Sequence, residues 1–231
     1  MIQQIPNEVD PRNQQQFSFH TTLFRSFLVS ILRLLFRIVM KLDVQGIENF
    51  PLDGAVVIAC NHVTNFDVFP MQFSLPRPLF YMAKSELFKF PPMAMALRNL
   101  GAFPVNRGER DSWAIRHAHK VLEHGQTLGM FPEGTRNKGH GLGVAKTGTA
   151  RIAIETGSPI VPMVVIGTDK FFKLFPRRTD VTVKMLPPLL PISGETPLAL
   201  TDRLMFRMAA ALPEEMRGVY AEIPKGFLKI T

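Results

Sequence analysis

The sequence predicts an α/β protein: an αβα layered fold with a mostly parallel central sheet, preceded by an N-terminal amphipathic helix. Short apolar runs of β-forming residues alternate with helix-like segments through most of the chain. Strands of this kind, buried on both faces, need crossover helices to cover them. The chain has 231 residues, 46% of them hydrophobic, which suffices for one domain with a sizeable core.

The first 42 residues are predicted to form a polar tail and a membrane-associating helix. Residues 1–16 are polar and include acidic side chains, which does not fit the basic start of a secretory signal. In residues 23–42, one side of a helix would be basic and the rest apolar. The basic residues are Arg25, Arg33, Arg37 and Lys41. They interrupt the run of roughly 18 uncharged residues that a membrane-spanning helix needs.

Two interpretations of this amphipathic helix are open. Its apolar face could pack on the protein's own domain, or it could lie in the surface of an anionic membrane. The width of the apolar face and the cations that border it favour the membrane. We therefore expect a peripheral or monotopic protein at the cytoplasmic face of a membrane.

The remaining residues, 43–231, are predicted to form the main domain. Strands are expected at residues 55–60, 79–83, 102–106, 127–131, 160–167 and 180–186. Helices are expected at residues 64–75, 85–98, 111–124 and 145–156. A last helix should begin at a Thr201–Asp202 cap and end before Pro213. Right-handed crossovers place the C-terminal ends of the parallel strands along one edge, where ligands of open α/β sheets usually bind.

Charge and cysteine content limit the possible partners. The formal charge of +8 predicts attraction to an anionic partner, which leaves nucleic acid, acidic lipid and phosphorylated substrates open. The single cysteine, Cys60, excludes an internal disulfide and a cysteine-based zinc site. We interpret Cys60 as a small buried core residue and not as a thiol nucleophile.

A histidine and an aspartate stand five residues apart where the strand at 55–60 ends. His62 and Asp67 belong to the stretch NHVTNFD. A carboxylate at this spacing can bind one imidazole nitrogen and stabilise the imidazolium that forms when the other takes a proton. No GxSxG motif supplies a serine nucleophile, so the hydroxyl that His62 activates would belong to the substrate. The alternative is a helix-capping aspartate beside a surface histidine.

Two other strand ends carry cations. FPEGTR, residues 131–136, offers Gly134 for close backbone approach, Thr135 as a donor and Arg136 for bidentate binding of phosphate. The alternative is a turn with a structural Glu133–Arg136 pair. GAFPVNRGER, residues 101–110, brings Arg107 to the same predicted edge.

Together these stretches resemble the glycerolipid acyltransferase family, specifically the 1-acylglycerol-3-phosphate (lysophosphatidate) acyltransferases. Four motifs occur in family order: NHVTNFD, GAFPVNRGER, FPEGTR and SPIVPMVV. AKSELF, KTGTARIA and RGVY are also similar to the family. The resemblance covers residues 44–220 and implies an αβα fold, membrane binding through an N-terminal helical element, and no metal or redox cofactor.

The resemblance also implies a role for each matching residue. His62 would be the general base that deprotonates the sn-2 hydroxyl of lysophosphatidate, with Asp67 as its orienting partner. The acyl donor would be acyl-CoA or acyl carrier protein. The residues expected to bind the glycerol phosphate are Arg107, Glu133, Gly134, Thr135 and Arg136. The supporting residues would be Asn61, Lys84 and Pro162. We expect the donors to the oxyanion among backbone N–H groups near the start of the helix that follows His62.

Several alternatives stay open or are disfavoured. The acceptor could instead be glycerol 3-phosphate or another lysolipid. A non-catalytic basic module for membrane or nucleic acid is a second possibility, but aromatic residues do not alternate with the arginines, so no nucleic-acid partner is expected. GHGLGVAKT is not a Walker A loop because no glycine stands immediately before Lys146 and no predicted strand leads directly into the stretch. His117 and His119 are interpreted as surface histidines without a metal.

Overall fold

The computed structural model of the chain describes residues 12, 16–20, 22–106, 111–137, 140–171, 173 and 176–222. A seven-stranded sheet lies at its centre. The strands are β1 (Met40–Gln45), β2 (Val56–Cys60), β3 (Leu79–Lys84), β4 (Ala102–Val105), β5 (Thr127–Met130), β6 (Ile160–Ile166) and β7 (Thr179–Met185). Their order across the sheet is β1-β7-β6-β2-β5-β3-β4.

Six α-helices surround the sheet. They are α1 (Leu23–Val39), α2 (Val68–Phe73), α3 (Pro91–Asn99), α4 (Ser112–Glu123), α5 (Gly148–Thr156) and α6 (Pro197–Ala211). Short 3-10 turns lie at Ile47–Asn49, Ser85–Phe88, Thr168–Lys170, Glu214–Met216 and Gly218–Tyr220.

The sheet is mostly parallel, as predicted. β4, β3, β5, β2 and β6 run in one direction, whereas β7 is antiparallel to β6 and parallel to β1. All six predicted strands are present, with ends within one residue of the prediction. β1 was not predicted, because its alternating residues follow a helical pattern without a break.

Alternate residues of β2 show how the layers form. Val57 and Ala59 pack in the core beneath α4, α5 and α6. Val56, Ile58 and Cys60 belong to a second core, which includes Met71 of α2 and Phe36 of α1. Both faces of this strand are therefore covered, and the predicted αβα fold is confirmed.

Helix α1 is shorter than predicted and directs its apolar face outward. It ends at Val39, and the chain continues directly into β1, so the predicted boundary after residue 42 falls within a strand of the sheet. The buried side chain of α1 is Phe36, whose ring lies 4.3 Å from that of Phe69. Seven large apolar side chains are exposed instead: Leu23, Phe24, Phe27, Ile31, Leu34, Leu35 and Ile38. The interpretation in which this face packs on the protein's own domain is therefore wrong.

No helix in the described part of the chain is both long and apolar enough to cross a membrane. The division of the chain into a tail with a membrane helix and an acyltransferase domain stays a prediction.

Helix starts were predicted less well than strands. α6 begins at Pro197, not at Thr201, because the Thr196 hydroxyl caps it by accepting from the N–H of Ala199 at 3.2 Å. Its predicted end before Pro213 is confirmed. The helix expected at 85–98 is divided into a 3-10 turn and α3, because Pro91 begins a new helix.

Candidate active site

The loop after β2 holds His62 and Asp67 in direct contact. Nδ1 of His62 lies 3.0 Å from Oδ2 of Asp67, and the aspartate is fully buried. The same oxygen accepts the backbone N–H groups of Val63 and Thr64, at 2.7 and 2.8 Å. These bonds hold residues 63–67 in a turn. For this reason α2 begins at Val68 and not at residue 64 as predicted.

The second carboxylate oxygen of Asp67 accepts two hydroxyl groups. Thr64 donates to it at 3.1 Å and Thr168, in the turn after β6, donates at 2.6 Å. With donors on both oxygens, the carboxylate leaves the proton of the pair on Nδ1 of His62. The Nε2 lone pair of the imidazole is then available to accept a proton.

The imidazole of His62 forms part of the wall of a cavity of about 370 Å³. The ring of Phe131 stacks against it, with ring centroids 4.0 Å apart and planes 16° apart. The other residues that line the cavity are Met82, Val105, Asn106, Gly129, Met130, Pro132, Gly134, Thr135, Lys146, Gly148 and Thr149. The cavity therefore lies at the C-terminal ends of β2, β3, β4 and β5, the edge predicted for a ligand.

Glu133 is buried behind this cavity and binds protein groups. Its carboxylate accepts the backbone N–H of His62 at 2.8 Å, the N–H of Gly143 at 2.9 Å, and the side-chain amide of Asn137. Burial raises the pKa of Glu133, and the hydrogen bonds from the two backbone N–H groups oppose the rise. The glutamate thus joins the His62 loop to Asn137 and Gly143. Its partners are protein groups, whereas the sequence predicted that it binds the glycerol phosphate.

Two of the other predicted phosphate-binding residues line the cavity. Gly134 has a φ of 67°, and a Cβ there would lie 3.2 Å from the side chain of Lys146. Glycine thus brings the chain close to that lysine without strain. Thr135 is exposed at the same wall, whereas Arg136 is exposed but does not line the cavity. Arg107 lies outside the described residues.

The three supporting residues occupy different places. The Asn61 side chain makes two hydrogen bonds with the backbone of Val165 in β6, at 2.9 and 2.7 Å, which ties the His62 loop to the sheet. Pro162 is buried in β6 beside Ala59. Lys84 ends β3 at the surface, where it pairs with Glu86 at 3.0 Å.

Four backbone N–H groups between β2 and the start of α2 do not fit the expectation about the oxyanion donors, which stays a prediction for the rest of that loop. The N–H groups of His62, Val63 and Thr64 bind Glu133 or Asp67, and the N–H of Phe66 binds the Thr64 hydroxyl. These four groups therefore have partners already and are not free to bind an oxyanion.

Cys60 and His117 are both buried. Cys60 is fully buried as expected, and burial raises the pKa of its thiol. His117 is buried, so its interpretation as a surface residue is wrong. Among the described residues, no group of three or more His, Cys, Asp or Glu side chains could hold a metal ion.

Sequence reasoning missed Thr168 and gave no role to Lys146. Thr168 is 101 residues from Asp67, so no local spacing could have connected them. Lys146 stands in KTGTARIA, where the glycine and threonine that follow it and begin α5 also line the cavity. The resemblance of KTGTARIA to the family was the sequence feature that could have indicated a role for Lys146.

Comparison with known proteins identifies the family of the chain. The model of the acyltransferase family matches residues 41–166, more than half of the chain. The chain belongs to the acyltransferase family. The matched residues of this acyltransferase extend from β1 to β6 and include His62, Asp67 and the loop from Phe131 to Lys146.

Relatives of this acyltransferase carry a more specific name. The 1-acyl-sn-glycerol-3-phosphate acyltransferase of Borreliella burgdorferi is 35% identical over 135 residues, which are 58% of this chain and 54% of that protein. The Bacillus subtilis protein of the same name is 33% identical over 150 residues, 64% of this chain and 74% of that one. The chain spans about half the length of the first of these relatives.

A solved structure has the same fold. The crystal structure of the 1-acyl-sn-glycerophosphate (LPA) acyltransferase PlsC from Thermotoga maritima matches with a TM-score of 0.66 and 24% identity. The match covers 81% of this acyltransferase and 78% of that chain.

Proposed function

We propose that this acyltransferase moves a fatty acyl group from a thioester to the sn-2 hydroxyl of lysophosphatidate and forms phosphatidate. The observation that carries the proposal is the His62–Asp67 pair on the wall of a cavity shared with Gly134, Thr135 and Lys146. A base and a cation then face one substrate that carries both a hydroxyl and a phosphate. The names of the relatives support this choice of acceptor.

In this mechanism His62 acts twice. Its Nε2 takes the proton of the sn-2 hydroxyl while the hydroxyl oxygen attacks the thioester carbonyl carbon. The resulting tetrahedral intermediate breaks its C–S bond, and the departing thiolate receives the proton from the imidazolium. Asp67 stabilises the imidazolium through the 3.0 Å contact at Nδ1. None of the described residues that line the cavity is a serine or cysteine, which fits direct transfer to the substrate hydroxyl.

The phosphate end of the acceptor would lie against the loop from Phe131 to Lys146. Lys146 is the cation among the described lining residues, and the neighbouring Gly134 leaves room for a ligand near its ammonium. Arg136 and Arg107, predicted from the sequence, would complete the cationic surface around the phosphate.

Residence at an anionic membrane suits a lysolipid acceptor and a diacyl product. The outward apolar face of α1, together with the exposed Arg33 and Arg37 on the same helix, supports a helix that lies in the surface of a bilayer. We place the protein at the cytoplasmic face, where acyl-CoA or acyl carrier protein would deliver the thioester.

Purified full-length protein, incubated with lysophosphatidate and a long-chain acyl thioester, tests the proposal. We expect release of free thiol in equal amount to phosphatidate. Parallel reactions with acyl-CoA and acyl carrier protein identify the donor, and reactions with glycerol 3-phosphate or lysophosphatidylcholine test the acceptor. Faster transfer to either alternative acceptor would contradict lysophosphatidate as substrate. Absence of thiol release with every donor and acceptor would indicate a non-catalytic binding protein.

A further inference from the structure

A second cavity, of about 290 Å³, lies beside the edge strand β4. It contacts Phe80, Ala102 and Phe103, which lie near the N-terminal ends of β3 and β4. His62, in contrast, follows the C-terminal end of the parallel strand β2. The remaining lining residues are Gln16, Ser18, Phe19, His20, Thr22, Arg25, Met95, Arg98, Asn99 and His117. None of the residues described as lining this cavity also lines the His62 cavity.

The wall of this second cavity is cationic. Arg25 and Arg98 line it, and none of the described lining residues carries a carboxylate. Arg25 lies over the ring of Phe19, 4.5 Å from its centroid, and its Nε donates to the carbonyl of Asn99 at 3.0 Å. Burial, with repulsion from Arg33, lowers the pKa of Arg25. The guanidinium is thus held in place by groups that do not neutralise it, and among the described residues its terminal N–H groups make no recorded hydrogen bond.

A buried histidine of the same cavity lacks a hydrogen-bond partner. His117 is 4% exposed, and its Nε2 finds no partner among the described residues. Its ring is enclosed by Trp113, Phe103 and Phe17, with centroids 4.9, 4.5 and 4.8 Å away. A buried polar atom left unpaired is unfavourable, because it has lost its hydrogen bonds to water without gaining others. A ligand that binds this nitrogen would offset that cost.

We propose that the second cavity binds the phosphate group of an anionic ligand, and that the ligand is the headgroup of an acidic phospholipid. Two arginine side chains and a neutral Nε2–H tautomer of His117 would act as donors to the phosphate oxygens. The N-cap Thr22 and Arg25 of α1 line the cavity, so it lies at the N-terminal end of that helix, where Leu23 and Phe24 are exposed. The choice of a lipid rests on the membrane contact proposed above, whereas the phosphate site does not.

Intrinsic fluorescence provides the readout, because Trp113 is the single tryptophan of the chain and stacks on His117. The full-length protein is titrated with dihexanoyl phosphatidate, dihexanoyl phosphatidylcholine and inorganic phosphate. We expect a saturable change with phosphatidate, at a concentration roughly tenfold or more below that needed for phosphate, and no saturable change with phosphatidylcholine. Equal affinity for inorganic phosphate would overturn the lipid assignment. A flat signal with all three would overturn the site.

Two variants with matched controls separate this cavity from the rest of the surface. Arg98→Gln removes an exposed cation and should weaken phosphatidate binding roughly tenfold. Arg116→Gln, an exposed arginine of α4 that does not line the cavity, should leave binding unchanged. Unchanged affinity of Arg98→Gln, or equal loss in both variants, would contradict the proposal.

His117→Phe distinguishes a ligand contact from a structural role. It removes the unpaired nitrogen, so the midpoint of thermal unfolding should stay equal or rise while phosphatidate binding weakens roughly fivefold or more. His119→Gln, on the same helix but outside the cavity, is the control. Wild-type affinity in His117→Phe would contradict the proposal. His62→Ala should retain the fluorescence change, and loss of the change in that variant would assign the signal to the other cavity and overturn the site.

Discussion

The imidazole Nδ1 of His62 lies 3.0 Å from Oδ2 of Asp67, and four further donors from the protein bind the same carboxylate. The aspartate is therefore fixed before any substrate binds, and it fixes the histidine in turn. This contact depends on two distant segments, because Thr168 reaches Asp67 from the turn after β6.

His62→Ala should lower the rate of acyl transfer by about 10³-fold or more, because the hydroxyl would lose its base. The thiol release assay measures the rate, and thermal unfolding should remain cooperative. A variant that transfers acyl groups at nearly the wild-type rate would place the base elsewhere.

Thr168→Val should lower kcat roughly tenfold with little change in KM, because Asp67 would lose one of its hydroxyl donors. Stability should also fall, by about 1.5–3 kcal/mol, the usual range for a hydrogen bond to a charged group. Thr168→Ser keeps the hydroxyl and should restore the rate. The matched control is Thr127→Val, since the buried Thr127 hydroxyl has no hydrogen-bond partner among the described residues. If both valine variants lose the same activity, the contact with Asp67 is not responsible.

Some residues of this site could be predicted from the sequence, and others could not. His62 and Asp67 follow one apolar strand within five residues, so their proximity was readable from spacing alone. Glu133 was assigned to the ligand because local pattern does not show burial, and its partners His62 and Gly143 are 71 and 10 residues away. Long-range contacts of this kind depend on how loops pack after the sheet has formed.

The strands also differ in how well the sequence predicts them. Most of the six predicted strands are apolar runs buried on both faces, whereas β7 alternates buried residues with more exposed ones, and all six were found. The half-exposed edge strand β1 was missed because it continues the sequence pattern of α1 without a turn. His117 was placed on the surface because two of the three aromatic rings that bury it, those of Phe17 and Phe103, come from other segments of the chain.

Lys146→Ala should raise KM for lysophosphatidate by roughly tenfold, because a cation on the cavity wall would be lost. Arg136→Ala should have a smaller effect on KM, since Arg136 does not line the cavity. Kinetics with a monoacylglycerol, which lacks the phosphate, provide the control, and there Lys146→Ala should match the wild type. An equal loss with both acceptors would mean that the lysine does not bind phosphate.

Stability should fall in mild acid because of His117. Burial, together with the nearby Lys120, lowers the pKa of His117 from its ordinary 6.5 to about 4. Below about pH 6.5 the unfolded chain takes up a proton that the folded protein does not, so stability is lost as the pH falls toward about 4. We expect a loss of about 2 kcal/mol from this group, which allows for partial screening. Urea unfolding at pH 7 and pH 4.5 should show a smaller pH effect in His117→Phe than in the wild type, and an equal effect would contradict the shift.

Replacing two exposed side chains of α1 should weaken membrane binding without damage to the fold. Phe27 and Leu34 are 63% and 61% exposed, and burying large apolar side chains in a bilayer contributes roughly 1–2 kcal/mol each. The double variant Phe27→Ser, Leu34→Ser should therefore sediment with anionic vesicles at least about tenfold more weakly.

Deletion of residues 1–42 would be a poorer test, because it removes Met40–Leu42 from β1, where they pair with Thr179–Val181 of β7. A loss of vesicle binding could then follow from a damaged sheet. The better control is Leu52→Ser, Leu198→Ser, which changes two similarly exposed apolar side chains away from α1. If the control reduces binding as much as the α1 variant, general surface apolarity explains the attachment. If neither variant changes sedimentation, α1 does not lie in the membrane surface, and the outward direction of its apolar face requires another partner.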